Sequence, residues 1–385
     1  MWLSLLVYFG IGLLLFLLGW HYNREVELNH QTPTTKQFLL SWQMMASFAI
    51  FTLITGLRYH TGWDHEYYIV DYVLYQKDGT ISRNDFEVGY TLIRAFFAKL
   101  GLHYSVFFSF WGFINIFFLY LALKDERQLI PWVGLFTTTG FFFLHIVNSL
   151  RQGVVECVFV FLVLLATKKK YLWYFVGALL LTTIHKVAFL IIPLFLFVKF
   201  PIRAKRSITP FAIYVICFVI GQFPIFSWLM TQLSSVLSLI GYEKYVDLFY
   251  NNSTYAFHRT NIGILTIIFI SIHLILIYYW KELSEYFKQN QFFEICYSFS
   301  LIYICYFVLV LNTSFYFKRP CELLLPFFLF SACYLTHYLL QKGKKLQFIT
   351  FCLLNSLIAC IVIFKEYFYY NMPDSINFYH FIPFC

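Results

Sequence analysis

The amino-acid sequence predicts an all-α integral membrane protein that crosses the bilayer about 11–12 times. Of its 385 residues, 60% are hydrophobic and only 12% are charged, a balance that excludes an ordinary soluble enzyme. Apolar runs of roughly 15 to 23 residues recur along the chain, and most are long enough to cross about 30 Å of hydrocarbon. We therefore expect residues 1–385 to form one multi-spanning membrane domain.

The apolar runs follow one another with polar connectors between them. The first run, Trp2–Leu18, lacks the basic start and the small-residue cleavage site of a signal peptide, so we expect a retained helix. The other runs are Phe38–Leu57, Tyr104–Leu123, Ile130–Val147, Gly153–Thr167, Tyr171–Val198, Ile208–Met230, Ile262–Trp280, Phe292–Leu311, Cys321–Leu340 and Phe348–Phe364.

Lysine and arginine residues in the short connectors predict the orientation, because they favour the cytoplasmic side. Three basic clusters lie at Lys168–Lys170, Lys199–Arg206 and Lys342–Lys345. They share one side only if the run Tyr171–Val198 enters and returns as two short or re-entrant helices. His185 then lies at the bend between the two helices.

With this orientation, the polar segments that are costly beside hydrocarbon collect on the outer face. An outer loop, residues 58–103, is predicted to contain amphipathic interfacial helices over residues 64–76 and 86–100. A second outer loop, residues 231–261, is rich in aromatic side chains that suit either sugar rings or lipid headgroups. This convergence of polar segments on one face indicates a functional site.

The segment Asn148-Ser149-Leu150-Arg151-Gln152 joins two apolar runs with almost no loop. An arginine at the edge of hydrocarbon is costly, although one that snorkels to the headgroups is also tolerated. Asn148 and Gln152 add hydrogen-bonding capacity beside it. On a helix Gln152 and Glu156 share a face, whereas Arg151 and Glu156 are about 140° apart. We therefore expect Glu156 to pair elsewhere and Arg151 to be left for an anionic ligand.

Further charged residues lie near predicted helix ends. Arg58 at a helix C-terminus and Glu87 in a first helical turn are both favoured by the helix dipole, which is a sufficient explanation for either. Lys318 and Arg319 instead precede a predicted helix N-terminus, where the dipole disfavours cations. Their position therefore indicates an anionic partner.

Several other kinds of site find no support in the sequence. The nine cysteines lie mostly within apolar runs and fit small buried hydrophobic residues. The sequence contains no CxxC pair, glycine-rich phosphate loop or HExxH motif, so we expect neither a metal nor a cofactor. The net charge of +9 suits anionic lipid headgroups and does not require a nucleic-acid partner.

A series of short motifs runs in order through most of the chain. The motifs are Leu57-Arg58, Gly62-Trp63-Asp64 with a tyrosine cluster after it, Phe86-Glu87-Val88-Gly89-Tyr90, Asn148-Ser149-Leu150-Arg151-Gln152, Ile184-His185, Arg319 and the C-terminal Phe381-Ile382-Pro383-Phe384. Their order and spacing resemble those of the EpsG-like, Wzy-type polymerases of bacterial surface polysaccharides.

The resemblance implies a glycosyltransferase in the bacterial cytoplasmic membrane with its active site facing outward. Such polymerases join oligosaccharide repeat units carried on undecaprenyl pyrophosphate. They transfer the growing glycan from its lipid pyrophosphate to a hydroxyl of a fresh lipid-linked unit. The expected partners are therefore this lipid-linked oligosaccharide and membrane lipid, with a chain-length regulator as a further candidate. No nucleotide cofactor is needed, because the donor is a lipid.

This chemistry suits the polar residues of the predicted outer face. Guanidinium groups bind pyrophosphate bidentately and stabilise the charge that develops as it leaves. The candidate substrate-binding residues are Arg58, Tyr90, Asn148, Arg151, Gln152 and Arg319. The acceptor hydroxyl needs a general base, for which the outer-face candidates are Asp64, Glu87 and His185.

Three other classes of membrane protein share some of these features. Another lipid-dependent glycosyltransferase or a glycan ligase would use the same arginines. A lipid-linked oligosaccharide flippase predicts charged residues at mid-membrane depth, whereas the charges here collect at one face. A membrane acyltransferase would use an intramembrane histidine such as His185 but would leave the outer arginines unexplained. Only a polymerase yields a ladder of products from lipid-linked repeat units.

Overall fold

The computed structural model describes residues 1–30, 32–62, 64–80, 86–140, 142–203, 206–223, 228, 263–313, 315–369 and 378–381. The second predicted outer loop, residues 231–261, therefore lies outside the described residues. The chain divides into a first unit, Met1–Lys199 with Ala332–Cys385, and a second unit, Phe200–Ser331. Both units are built from apolar helices, and a single multi-spanning domain stays a prediction.

The first unit contains most of the helices. In chain order they are α1 (Trp2–Asn29), α2 (Thr35–Leu40), α3 (Trp42–Gly56), α4 (His65–Asp78), α5 (Val88–Lys99), α6 (Tyr104–Ala122), α7 (Ile130–Thr139), α8 (Phe142–Asn148), α9 (Leu150–Thr167), α10 (Tyr171–Thr182) and α11 (Ile191–Lys199). Two short strands, β1 (Arg58–Tyr59) and β2 (His380–Phe381), pair antiparallel in this unit.

The described helices of the second unit are α12 (Ile208–Ile220), α13 (Ile264–Tyr278), α14 (Trp280–Tyr286), α15 (Gln291–Leu309) and α16 (Phe315–Glu322). They are followed by α17 (Leu325–Gln341) and then by α18 (Lys345–Ser356) and α19 (Ile358–Phe364), which belong to the first unit. Within the second unit, α12 packs on α15. The boundary between the units falls within α17.

Small residues set the packing of the first unit. Helix α1 packs on α3 and α7, while α6 packs on both α3 and α9. A Cβ atom on Gly19 would lie 2.9 Å from the backbone nitrogen of Pro131, and one on Gly134 would lie 2.8 Å from Cβ of Leu15. These contacts are closer than a side chain allows, so the two glycines let α1 and α7 approach each other.

The helices confirm the predicted all-α polytopic class. By length and composition, α1, α6, α9 and α15 can each cross a membrane, and among the described residues the number rises to seven if each of three bent helix pairs counts as one span. Helices α3, α10 and α12 are apolar but shorter. The predicted count of about 11–12 is larger because it includes such shorter runs.

The two amphipathic helices of segment 58–103 form as α4 and α5. Gly79 and Gly101, which follow them, have positive φ values of 72° and 67°, the conformation that commonly ends a helix. Tyr68 and Asp71 are buried, whereas Val73 is exposed. The face of α4 that carries tyrosines and an aspartate is therefore the face that packs on the protein.

The run Tyr171–Val198 breaks where the basic clusters predict a bend. Helix α10 ends at Thr182, and His185 has an extended backbone with φ −154° and ψ 132°. A 3-10 turn, Lys186–Leu190, then leads into α11. Nδ1 of His185 accepts a hydrogen bond from the backbone N–H of Val187 at 3.1 Å. The predicted pair of short helices is thus confirmed.

The orientation of the helices stays a prediction, and cysteine labelling tests it. Asp78 ends α4 with an exposed side chain, and Lys342 is exposed just after α17. In a cysteine-free background, Asp78→Cys should react with a membrane-impermeant thiol reagent in intact cells, as should Asn252→Cys in the second outer loop. Lys342→Cys, the control, should react only after permeabilisation. If only Lys342→Cys is labelled in intact cells, the helices have the opposite orientation to the one predicted.

Candidate functional site

Segments that are distant in the sequence meet at one end of the first unit. Gly62 lies against the end of α8, because a Cβ at this position (φ 105°) would be 2.8 Å from the Val147 carbonyl oxygen and 3.0 Å from Asn148 Oδ1. Gly89 lies against the break after α10, and its N–H donates to the Thr183 carbonyl at 2.7 Å. Larger residues at either glycine would separate these segments.

Arg151 lies in the first turn of α9 and has a carboxylate partner. Its NH1 donates to Oε2 of Glu87 within an ion pair, and its Nε donates to the Tyr68 hydroxyl at 3.2 Å. The guanidinium carbon is 4.6 Å from the ring centroid of Phe86 and 5.4 Å from that of Tyr90. The expectation that Arg151 is left without a partner is therefore wrong. Its partner comes from the N-terminus of α5 and not from its own helix.

Glu87 connects three parts of the site. It is the N-cap residue of α5, and its Oε2 accepts from Arg151 at the start of α9. Its Oε1 accepts a hydrogen bond from the backbone N–H of Lys186 at 3.0 Å. A carboxylate that is held by a guanidinium and an amide does more than complement the dipole of its helix.

The polar residues beside Arg151 form a buried network between α8 and α9. Gln152 Nε2 donates to Oε1 of Glu156 at 3.0 Å, and His145 Nε2 lies 2.8 Å from the same oxygen. All three side chains are buried. The expectations that Gln152 and Glu156 share a face and that Glu156 pairs away from Arg151 are confirmed. The sequence pattern did not single out His145, although a histidine inside an apolar run is a signal of such a network.

Arg58 is fully buried at the start of β1. Its Nε donates to Nδ1 of His65 at 3.2 Å, and its guanidinium carbon lies 5.0 Å from the ring centroid of Phe108. Among the residues that the structure describes, NH1 and NH2 of Arg58 have no hydrogen-bond partner, and neither does Nε2 of His65. Buried donors without acceptors are costly, so this cluster suits an oxygen-rich ligand.

Burial determines the protonation of this pair at neutral pH. It lowers the pKa of Arg58 to about 10, so the guanidinium remains charged. Burial, with a smaller contribution from the charge of Arg58, lowers the pKa of His65 to about 2. His65 is therefore neutral, and its proton is on Nε2 because Nδ1 accepts from Arg58. We name NH1 and NH2 of Arg58 together with Nε2 of His65 the donor cluster.

The C-terminal segment covers Arg58. Strand β2 pairs with β1, which sets Phe381 opposite Arg58. The Thr61 hydroxyl donates to the Phe378 carbonyl at 3.0 Å, and the Tyr379 hydroxyl donates to the Ile54 carbonyl at 2.6 Å. The predicted aromatic tail thus begins inside the first unit, while residues 382–384 lie outside the described part of the chain.

The remaining candidate residues occupy different surroundings. Asp64 occupies the N-cap position of α4 and is partly exposed. Among the described residues, its side chain makes no capping hydrogen bond to that helix. Tyr90 is fully buried, and its hydroxyl donates to Asp71 Oδ2 at 3.4 Å. Arg319 lies in the last turn of α16 in the second unit, where the helix dipole favours a cation. The expectation that it precedes a helix N-terminus is therefore wrong, and its role in binding stays a prediction. Among the described residues, no three His, Cys, Asp or Glu side chains are grouped so as to hold a metal.

A buried ion pair joins the two amphipathic helices that frame the site. Arg94 NH1 lies 2.6 Å and 2.7 Å from the two carboxylate oxygens of Asp71, and neither side chain is more than 1% exposed. The Tyr75 ring lies 4.4 Å from the Arg94 guanidinium carbon. This pair was not predicted from the sequence. Its signal is an arginine on the apolar stripe of α5, one turn after Tyr90.

Replacing one partner of this ion pair should destabilise the protein more than replacing both partners. Asp71→Leu leaves the Arg94 guanidinium buried without its carboxylate, a loss that typically costs about 3–5 kcal/mol. The double variant Asp71→Leu/Arg94→Met should recover much of that loss. Thermal unfolding of the purified protein in detergent measures both effects, with the exposed Asp78→Leu as control. A double variant no more stable than Asp71→Leu would contradict the pairing.

The EpsG family model matches residues 41–382. This range includes every residue considered above as a candidate for binding or catalysis. No curated protein and no solved structure matches the chain. Because the family model covers most of the sequence, the chain belongs to the EpsG family.

Proposed function

We propose that this protein polymerises lipid-linked oligosaccharide repeat units at the outer face of the bacterial cytoplasmic membrane. Membership in the EpsG family points to a membrane polysaccharide polymerase. The proposed donor is a glycan on undecaprenyl pyrophosphate, which is also the leaving group. The observation that carries this proposal is the donor cluster, a buried charge whose nitrogens have no acceptor among the described residues.

A pyrophosphate supplies what the donor cluster lacks. Its oxygens accept hydrogen bonds, and its negative charge offsets the guanidinium of Arg58. Arg151 differs because Glu87 already balances its charge. Arg151 binds the pyrophosphate by exchanging Glu87 for a phosphate oxygen or by sharing its fork between the two, since a guanidinium carries five N–H donors. Asn148, Gln152 and Arg319 are the proposed additional binding residues.

The proposed reaction is a glycosyl transfer. An acceptor hydroxyl oxygen attacks the anomeric carbon of the donor sugar, and the bond from that carbon to the pyrophosphate oxygen breaks. The electron pair of this bond leaves with the pyrophosphate, where the two guanidinium groups stabilise the developing charge. The proton of the hydroxyl passes to a general base.

We propose Asp64 as that base. It directly precedes His65 of the donor cluster, and it follows Gly62, which packs against Asn148. Glu87 and His185 are the other two candidates. Both oxygens of Glu87 accept hydrogen bonds, from Arg151 and from the Lys186 amide. Nδ1 of His185 accepts from the Val187 amide.

The direct test is polymerisation by the purified protein. Vesicles that contain the protein and repeat units on undecaprenyl pyrophosphate should give a ladder of products. A glycan ligase would instead give a single transfer, and a flippase would move the lipid without changing it. Arg58→Gln, which removes the charge of the donor cluster, should abolish the ladder at matched protein amount. A ladder of normal length from Arg58→Gln would refute the assignment of the cluster.

Replacement of Arg151 distinguishes a phosphate clamp from a lipid anchor. A snorkelling arginine tolerates lysine, whereas a bidentate clamp does not, because lysine lacks the planar fork. We expect Arg151→Lys and Arg151→Ala to lower the polymerisation rate roughly 30- to 1000-fold, or about 2–4 kcal/mol of transition-state stabilisation. Polymer formation at matched membrane abundance is the measurement. Parent-like polymerisation by Arg151→Lys would make this residue an anchor.

The arginines are proposed to act together on one pyrophosphate. Replacing both Arg58 and Arg151 should therefore cost less than the sum of the two single losses, because the first loss already weakens the shared contact. Rates of the single and double variants, determined side by side, give the coupling. Strictly additive losses would show that the arginines bind separate groups.

Paired substitutions separate the proposed base from a structural cap. Asp64→Asn keeps the size of the side chain but accepts no proton, so the rate should fall about 10²- to 10⁴-fold. His185→Asn retains an oxygen that can accept from the Val187 amide, and most of the activity should remain. Rates at several pH values provide the comparison. A similar loss in both variants, or a loss in His185→Asn alone, would remove Asp64 as the sole base.

A further inference from the structure

An apolar groove in the first unit runs along α6, α9 and α10. Its volume is about 630 Å³, which lies within the roughly 300–1,000 Å³ of typical small-molecule sites. Of the described residues that line it, only Lys170 is charged. The groove therefore has the chemistry of a site for a hydrocarbon chain.

The groove is formed by one stripe of side chains from each helix. Val154, Val158 and Phe161 line it from α9, at the spacing of a single helical face. On α10, Trp173 and Leu180 line it and are 61% and 63% exposed, so the groove is open along its side. From Lys170 to Ile184 it extends about 20 Å, since each helical residue rises about 1.5 Å. That length covers about two thirds of the hydrocarbon core.

One end of the groove adjoins the Arg151–Glu87 ion pair. Ile184 lines this end and follows Thr183, whose carbonyl accepts from the Gly89 amide. Val154, which also lines the groove, lies one turn after Arg151 on α9. A molecule with its hydrocarbon chain in the groove therefore carries its head to the charged residues at this end. The opposite end, at Lys170, is reached only by the tail.

We infer that this groove, with its volume of about 630 Å³, holds the first isoprene units of the polyprenyl chain of the donor lipid, an inference that rests on the proposed function. The pyrophosphate of that lipid would then lie at Arg151 and the chain would follow α9 and α10. A single groove accommodates one chain, which suits a polyprenyl lipid, whereas a phospholipid would leave its second chain in the bilayer. The rings of Trp111 and Phe118 from α6 also line the groove and offer flat faces to the planar double bonds of isoprene units.

Photo-crosslinking tests where the chain binds without requiring catalysis. The probe is undecaprenyl phosphate with a diazirine in its chain, added to the purified protein in nanodiscs. Labelled peptides should come from α6, α9 and α10. Val158→Trp fills the groove and should lower this labelling roughly tenfold. Val176→Phe, on the facing stripe of α10, should do the same, and it provides a second variant should Val158→Trp fail to fold. Leu172→Trp is the control, because Leu172 is 71% exposed and lies outside the groove.

Three outcomes separate the groove from ordinary lipid contact and from the proposed function. Labelling that spreads evenly over the helices, or that Val158→Trp leaves unchanged, would overturn the inference. Equal labelling by a diazirine phosphatidylglycerol would also overturn it, because any bilayer lipid would then occupy the groove. Specific labelling by the polyprenyl probe, with no product ladder from the parent protein, would retain the groove as a polyprenyl phosphate site and refute polymerisation.

A chain-length comparison links the groove to turnover. With repeat units on undecaprenyl pyrophosphate, Val158→Trp should raise KM roughly tenfold. With repeat units on dimethylallyl pyrophosphate, whose single isoprene unit is too short to reach Val158, about 10 Å along α9 from Arg151, the parent and the variant should have similar KM values. Leu172→Trp should match the parent with both donors. An equal effect of Val158→Trp on both donors would assign the loss to the reacting end and contradict a chain-binding groove.

Discussion

The rest of the site depends on the hydrogen bonds that the Glu87 carboxylate accepts. It accepts from Arg151 at the start of α9 and from the Lys186 amide after the break in the α10–α11 pair. Three segments that do not adjoin in the sequence are thereby held by two oxygens of one side chain. Each bond is strengthened by a partly buried setting, where charge-assisted hydrogen bonds exceed neutral ones. Without this carboxylate, Arg151 would be left as an unbalanced charge beside an apolar cluster.

The two arginines of the first unit meet different electrostatic conditions. Arg151 is balanced by Glu87 and stacked near two aromatic rings, so its position is fixed before any ligand arrives. Arg58 is fully buried beside a neutral His65, and its terminal nitrogens have no acceptor among the described residues. The first arrangement stabilises the fold, whereas the second retains an attraction for an anion. Arg151 is thus held in place by Glu87, whereas the donor cluster keeps hydrogen-bond donors that an anion could use.

The proposed substrate is amphiphilic, and the first unit has a matching division of chemistry. Charged and hydrogen-bonding residues gather at one end, around Glu87 and the donor cluster. The apolar groove leads away from that end between α6, α9 and α10. The break at His185 lies where these regions meet, because Ile184 lines the groove while the Lys186 amide binds Glu87. A helix that continued through this point would present neither that amide nor the bend, since its N–H groups would be bonded within the helix.

The sequence by itself determined the membrane class, the break at His185 and the shared helix face of Gln152 and Glu156. These features depend on composition, on the bias of basic residues and on helical spacing, all of which are local properties. Only the tertiary structure decided that Glu87 pairs with Arg151, because residues so far apart in the chain become neighbours only when the helices pack. The same holds for the unsatisfied nitrogens of the donor cluster and for the groove, since burial and open space are properties of the packed molecule and of no single segment.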